Sequence, residues 1–251
     1  MKSALEQPPA TPSPGSLSTI LRSAVQRGHA AARANLLPAL LLQAFGISLL
    51  VAYYQVDPFK NLLSSLAQWK TEVGFLYAII ATALAGGLFP WILRKLFVDP
   101  SAPLSDLYFY TIFWAIKGFE IDLFYRAQAR LFGEGLDWQT VLSKVAFDQF
   151  VYVPLWAAPS IIVAYTWYES RRDHLPLPWK KQPPLTWFLR DGVPILLANW
   201  AVWIPAVFII YLLPLPLQLP IQNLILCFWV LILTILTARQ QENPPSQPPG
   251  K

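Results

Sequence analysis

The longest charge-free stretch of the chain runs for 47 residues, from Gly192 to Ala238. As one helix it would be about 70 Å long at 1.5 Å per residue, more than twice the ~30 Å hydrocarbon core of a bilayer. The stretch must therefore turn back on itself. The segment LPLPLQLP, from Leu213 to Pro220, contains three prolines, which cannot continue a regular helix. We therefore predict two membrane-spanning helices, at about 187–213 and 217–238.

Four more segments have the length and composition of membrane-spanning helices. They cover about 36–54, 73–95, 105–131 and 138–168, and the first two contain charge-free runs of 19 and 21 residues. In the second, ATALAGG places small residues four apart, as in a helix-packing face. The chain is 55% hydrophobic and only 13% charged, about half the charged share of an ordinary soluble protein. We therefore predict an all-α, multi-pass transmembrane helical bundle with about six spans.

The positive charges predict the orientation of these spans, because cytoplasmic segments are enriched in Lys and Arg. If the N-terminus lies inside, the inner segments hold thirteen basic residues, which are Lys2, Arg22, Arg27, Arg33, Arg94, Lys95, Arg171, Arg172, Lys180, Lys181, Arg190, Arg239 and Lys251. The outer segments then hold five, which are Lys60, Lys70, Arg126, Arg130 and Lys144. We therefore expect both termini on the cytoplasmic or matrix side.

The two ends of the chain differ from the bundle in composition. Residues 1–16 and 239–251 are rich in Pro and polar residues and are expected to be disordered. Residues 17–35 contain three Arg, no acid, and apolar residues at helical spacing, which favours an amphipathic helix at the membrane surface. An organelle-targeting presequence is the alternative for this segment. The transmembrane domain is therefore predicted to cover residues 36–238.

Residue types that build metal and nucleophilic sites are few and dispersed. Cys227 is the single cysteine and lies in an apolar run, and His29 and His174 are far apart. No P-loop, GxGxxG, GxSxG or HExxH motif is present. Asp122 and Asp148 are the one acid pair that could serve an enzyme, and nothing in the sequence brings them together. We expect no enzyme, no metal, no cofactor and no nucleic acid partner, since topology explains the net charge of +5.

Charged and amide residues interrupt the third and fourth spans. A charged side chain at the centre of a span costs roughly 2.5–3.5 kcal/mol on insertion scales, so such groups normally pair or face water. Their spacing of three or four residues permits three pairs within helices, which are Lys117 with Glu120, Asp122 with Arg126, and Lys144 with Asp148. Together with Gln149, these residues are the candidates for a polar network or pore lining.

Two interpretations of the seven candidates stay open. They are either pairs that only neutralise one another and hold helices together, or groups that line a hydrated path. The amide beside Asp148 and the four ionisable groups of the third span favour the path. In that case Asp148 and Gln149 would face water, and otherwise they would bind the third helix through Lys117 or Arg126.

The stretch GFEIDLFYRAQARLFGEGLDWQTVLSKVAFDQFVYVP, residues 118–154, resembles the Mpv-seventeen/peroxisomal membrane protein family. The pattern of that family is kept at Gly118, Tyr125, Lys144, Asp148, Gln149 and Pro154. The sequence departs from it at Phe119, Asp122 and Phe124, where the family usually has Pro, His and Trp.

A second block of the same family's pattern follows near the C-terminus. Its matching residues are Trp200, Trp203, Pro205, Pro216 and Trp229, with Ile204 as an extra residue. Phe208, Ile210 and Pro220 replace the family's Gln, Asn and Arg. The resemblance covers 105–238 well and 65–100 weakly, so the family-like core is about 65–238 and an N-terminal extension precedes it.

The resemblance implies an integral membrane protein that forms a channel or carrier for small solutes or ions. The lost family residues put inherited pore chemistry in doubt, so a structural scaffold with intramembrane ion pairs is the alternative. The expected partners are the lipid bilayer and small solutes or ions, and a homo-oligomer is compatible with the sequence. The divergence favours a bacterial plasma membrane, with a mitochondrial inner or other organelle membrane as the alternative.

Overall fold

The computed structural model describes residues 17–181 and 183–242. About 90% of the described residues are helical, and none of them forms a strand. Within these ranges the nine helices are α1 (Leu17–Ala34), α2 (Leu36–Gln55), α3 (Asp57–Val73), α4 (Phe75–Phe97), α5 (Leu104–Phe132), α6 (Trp138–Arg172), α7 (Pro178–Lys181), α8 (Pro184–Tyr211) and α9 (Leu215–Glu242). The predicted all-α class is confirmed. The disorder predicted for 1–16 and 243–251 falls outside the described residues.

Five of the described helices, α2, α4, α6, α8 and α9, are long and apolar enough to cross a membrane by length and composition. Helix α5 carries too many charges for that criterion, although it has 29 residues. Its exposed side chains nevertheless form an apolar stripe at helical spacing, made of Tyr108, Ile112, Ile116, Phe119 and Leu123. Because several of its charges face the protein interior instead, α5 fits the bilayer as a sixth span.

The C-terminal hairpin turns where the prolines predicted it. Helix α8 ends at Tyr211 and α9 begins at Leu215, so that Pro214 lies in the turn. Pro216 lies in the first turn of α9, where a missing N–H costs no helical hydrogen bond, and Pro220 lies inside the helix. Helix α9 continues to Glu242, so the prediction that disorder starts at residue 239 was wrong by four residues.

Helix α3 was missed from the sequence, which was interpreted there as an outer segment between two spans. Its apolar and buried residues recur at helical spacing at Phe59, Leu63, Leu66, Ala67, Lys70 and Val73. A turn at Gly74, with φ of 65°, connects it to α4. This backbone conformation favours glycine because it has no Cβ atom.

Three helices contain a π-helical segment, and each segment is associated with a proline. The segments are Leu84–Leu88 in α4, Asp148–Ala157 in α6 and Phe188–Gly192 in α8. Each contains the residue four positions before a proline, whose carbonyl loses its usual N–H partner. The prolines are Pro90, Pro154 and Pro194. The wider helix is therefore a local response to a missing backbone donor.

The chain forms two compact units. The smaller, over the described residues, consists of 17–34 and 158–199. In it α1 packs on α8, because Gly28 leaves room for Leu197. The Arg27 guanidinium donates to the carbonyl of Arg190, which Pro194 has freed, and lies 3.7 Å from the Asp191 carboxylate. The predicted amphipathic helix at the N-terminus is therefore present and is held by an apolar and an ionic contact.

The larger unit consists of residues 35–157 and those from 200 onward. Its apolar core joins α2, α3, α4, α5, α6, α8 and α9. Helices α4 and α5 approach most closely at glycines, where Gly87 faces Thr111 and Gly118 faces Ala78. The candidate polar residues of the sequence all lie in this unit.

Candidate functional site

Asp122 is the centre of an ionic triad between α3 and α5. One carboxylate oxygen lies 2.7 Å from Lys70 Nζ, and the other accepts a 2.7 Å hydrogen bond from Arg126 Nε. Lys70 is 4% exposed and Asp122 is fully buried. Arg126 extends outward and stacks over Phe75 at 4.7 Å. The predicted pairing of Asp122 with Arg126 is confirmed, but Lys70 is not the free outer charge that the sequence suggested.

Glu120 is the centre of a second ionic group, which joins α5 to α6. Lys117 Nζ lies 2.8 Å from its carboxylate, which confirms the predicted pair three residues apart. The hydroxyl of Tyr152 donates a hydrogen bond to the same carboxylate. The Tyr152 ring stacks on Phe124 with centroids 3.8 Å apart. Phe124 therefore packs against the ring whose hydroxyl contacts Glu120.

Asp148 lies at the first position of the π-helical segment of α6 and is 5% exposed. It accepts hydrogen bonds from the Tyr211 hydroxyl at 2.7 Å and from Gln149 Nε2 at 3.1 Å. In the part of the chain that is described, no Lys, Arg or His nitrogen lies within 4.0 Å of its carboxylate. The predicted ion pair with Lys144 was therefore wrong. The two residues are one regular turn apart, since the Asp148 backbone N–H donates to the Lys144 carbonyl, but the Asp148 carboxylate binds Tyr211 of α8 and Gln149 instead.

Lys144 is 1% exposed and has no carboxylate within 4.0 Å among the described residues. Its backbone carbonyl accepts a 3.3 Å hydrogen bond from Gln128 Nε2. Lys144 is thus a buried basic residue whose ammonium group forms no ion pair with a described carboxylate, Asp148 included.

Asp137 caps the first turn of α6. It accepts hydrogen bonds from the Thr140 backbone N–H at 3.0 Å and from the Thr140 hydroxyl at 2.8 Å. These donors hold the pKa of the Asp137 carboxyl below its ordinary value. The cap fixes where the helix starts, and thereby where Lys144 and Asp148 lie along it.

Neutral hydrogen bonds extend the network to α8 and α9. Trp200 Nε1 donates to the backbone carbonyl of Gln149 at 2.8 Å. The Tyr125 hydroxyl donates to Gln222 Oε1, and the Tyr125 ring meets Tyr211 edge-on with centroids 5.6 Å apart. Asn223 Nδ2 donates to the Thr82 hydroxyl at 3.1 Å, which joins α9 to α4. Most of the spans of this unit are therefore connected by polar contacts as well as by apolar packing.

The other residues of the family-like pattern take part in helix packing or in the local geometry of the helices. Gly118 lies against the backbone of Ala78, and Pro154 lies inside the π-helical segment. Trp203 and Trp229 pack on the apolar core. Pro205 lies inside α8 and Pro216 in the first turn of α9.

The seven predicted residues therefore fall into separate groups. Of the two alternatives for Asp148 and Gln149, binding to the third span through Lys117 or Arg126 is not found, since Asp148 binds Tyr211 of α8. The candidates from the sequence did not include seven members of the network, which are Lys70, Thr82, Gln128, Tyr152, Tyr211, Gln222 and Asn223. The helical spacing of α3 could have indicated Lys70. Across the described residues, no group of three or more His, Cys, Asp or Glu is placed to hold a metal ion.

These features define the class of the protein as a multi-pass α-helical integral membrane protein. Its apolar helices are long enough to cross a bilayer, and the buried charged residues among those described lie in the larger unit. Neither a family model, nor a curated protein, nor a solved structure matches the chain.

Proposed function

We propose that the protein provides a permeation pathway for a small solute or an ion, and that Lys144 and Asp148 lie on it. The observation that carries the proposal is that a basic and an acidic residue are buried one turn apart, and that no described residue of opposite charge lies within 4.0 Å of either. Ionisable groups inside a membrane domain are rare, and they commonly mark paths for ions or substrates. The resemblance to the Mpv-seventeen/peroxisomal membrane protein family supports the same function.

The comparison with the neighbouring groups strengthens this proposal. Asp122 and Glu120 each have a cation within 2.8 Å, as expected for groups that only stabilise the fold. Asp148 has only neutral donors, from Tyr211 and Gln149. A purely structural role would be served better by an apolar residue or by a complete ion pair, because an uncompensated buried charge is costly.

A scaffold function is the second candidate, and the triad around Asp122 favours it. Lys70 connects the amphipathic helix α3 to α5 through a buried ion pair of 2.7 Å. Such a contact holds two helices together without any solute. If the scaffold is the whole function, the variants of Asp148 alter stability and leave the membrane tight.

Flux through liposomes that contain the purified protein tests the pathway. We expect the wild type to release small ions or metabolites, and Asp148→Asn and Lys144→Gln to change the rate about tenfold, as a barrier change of about 1.4 kcal/mol would do. The physical reason is that each substitution removes one buried charge from the path while nearly keeping its shape.

The matched control for this experiment is Asp99→Asn, which also removes one carboxylate. Asp99 is outside the network and pairs with Arg94 at 2.9 Å. The flux through the Asp99→Asn variant is therefore expected to equal that through the wild type. Liposomes that stay tight at high protein density would contradict the pathway. Equal flux for wild type, Asp148→Asn and Lys144→Gln would contradict the assignment of the two residues.

We also propose that both termini face the cytoplasm, or the matrix in an organelle, because thirteen of the basic residues fall on that side. In a Cys227→Ser background, Leu136→Cys is expected to react with a membrane-impermeant maleimide added from outside. Leu175→Cys is expected to react only after permeabilisation, since the 35-residue helix α6 separates the two positions. Labelling of Leu175→Cys from outside would show that the termini lie on the side opposite to the one proposed.

A further inference from the structure

Asp148 has a carboxylate in the protein interior that only neutral groups contact. The Tyr211 hydroxyl and Gln149 Nε2 donate to it, and the basic residue one turn before it, Lys144, does not pair with it. A carboxylate in a medium of low dielectric constant strongly favours a compensating positive charge. The described residues around it do not supply one within 4.0 Å.

Two buried oxygen atoms near this carboxylate also lack hydrogen-bond donors. They are Gln128 Oε1 and Gln149 Oε1, and both side chains are 1% exposed. The orientation of each amide is fixed by its nitrogen, since Gln149 Nε2 donates to Asp148 and Gln128 Nε2 donates to the carbonyl of Lys144. The Lys144 carbonyl that binds Gln128 also accepts from the backbone N–H of Asp148, which places Gln128 beside that residue. Acceptors without donors are unusual in protein interiors.

We propose that Asp148, Gln128 and Gln149 form a binding site for a monovalent metal cation such as Na⁺ or K⁺. The proposal deepens the proposed permeation function, on which it rests, because it names the class of ion and the residues that would bind it. The carboxylate supplies one negative charge, and the two amide oxygens supply neutral ligands. Oxygen ligands of this kind suit hard cations.

The charge of the site favours a monovalent cation over a divalent one. One carboxylate neutralises one positive charge, whereas a divalent ion would leave a net charge buried in the membrane domain. Calcium sites usually contain several carboxylates among six to eight oxygen ligands. Asp122 cannot add a second carboxylate, because Lys70 and Arg126 already neutralise it.

Thermal unfolding of the purified protein in detergent tests the site without any flux measurement. At equal ionic strength, NaCl or KCl in place of choline chloride is expected to raise the Tm of the wild type. The shift is roughly 5–10 °C when the cation reaches about 100 times its Kd. The Asp148→Asn variant is expected to show the same Tm in choline and in the metal salts.

Two further variants separate cation binding from general effects on folding. Asp106→Asn removes another buried carboxylate, which pairs with Arg94 at 2.9 Å, and it should keep the full cation-dependent shift. Gln128→Leu removes one of the proposed ligands and should lower the apparent cation affinity severalfold. If Asp148→Asn does not fold, Gln128→Leu still tests the site, because a lowered apparent cation affinity supports it and an unchanged affinity contradicts it.

The proposal is overturned if the wild type has the same Tm in choline, Na⁺ and K⁺, or if Asp148→Asn keeps the shift. A shift produced by Ca²⁺ alone would also overturn the monovalent assignment. Failure of the proposed cation site is distinguishable from failure of the proposed permeation pathway. Liposomes that leak a neutral solute without a cation-dependent Tm would retain the pathway, and a cation-dependent Tm with tight liposomes would retain the site.

Discussion

Replacement of Asp122 by asparagine is expected to cost about 3–5 kcal/mol of stability, as does the loss of one partner from other buried ion pairs. The variant keeps the shape of the side chain and removes its charge. Lys70, which is 4% exposed, then has no carboxylate at its present 2.7 Å contact. Thermal or denaturant unfolding of the purified protein in detergent measures the loss.

The double variant Lys70→Met/Asp122→Asn identifies the cause of that loss. Removing the buried cation as well should recover a large part of the stability, with a coupling energy of about 1–3 kcal/mol between the two sites. Asp99→Asn serves as the exposed control, because it removes a carboxylate from a surface ion pair and should change stability little. Strictly additive effects at positions 70 and 122 would show that the ion pair does not matter.

A methyl group at position 118 is expected to destabilise the packing of α4 on α5. In Gly118→Ala the new Cβ atom would lie 2.2 Å from the carbonyl oxygen of Ala78 and 2.8 Å from the Thr82 Cβ. The obstacle at position 78 is backbone, so the two helices must separate. We expect a loss of about 3 kcal/mol, at the upper end of the cost of overpacking, measured by thermal unfolding in detergent.

The matched control for this substitution is Gly46→Ala in α2. There the nearest atom to the new Cβ is the Cδ1 atom of Ile209 at 3.3 Å, which is the flexible end of a side chain. Alanine also favours a helix by up to about 1 kcal/mol over glycine, so this variant should be neutral or slightly stabilised. The prediction for Gly118 fails if both variants unfold at the same temperature.

The spans were predictable because their cause is local. A run of about 20 apolar residues is long enough to cross the hydrocarbon core of a bilayer as a helix, whatever its neighbours are. Five predicted spans therefore coincide with long apolar helices to within a few residues. Helix α3 was not predicted as a helix, because its two lysines were interpreted as the charges of an outer loop. Its helical spacing was present in the sequence, but Lys70 belongs to the buried face only because Asp122 lies opposite.

The network was predictable only where it is formed within one regular helix. The pairs Lys117 with Glu120 and Asp122 with Arg126 follow from helical geometry alone. The contact of Asp148 with Tyr211 joins residues 63 positions apart, and no spacing rule reaches that far. That contact with α8 also takes the place of the pair that the rule predicted for Lys144, although Lys144 and Asp148 are one regular turn apart.

The inward-facing charges of α5 have a consequence for the biogenesis of the protein. As the chain emerges from the ribosome, both partners of Asp122 are made before it or within four residues after it, so its charge can be neutralised while α5 enters the membrane. The Tyr211 partner of Asp148 is synthesised only 63 residues later. Until α8 has been synthesised, Asp148 therefore has Gln149 but not Tyr211 as a hydrogen-bond donor.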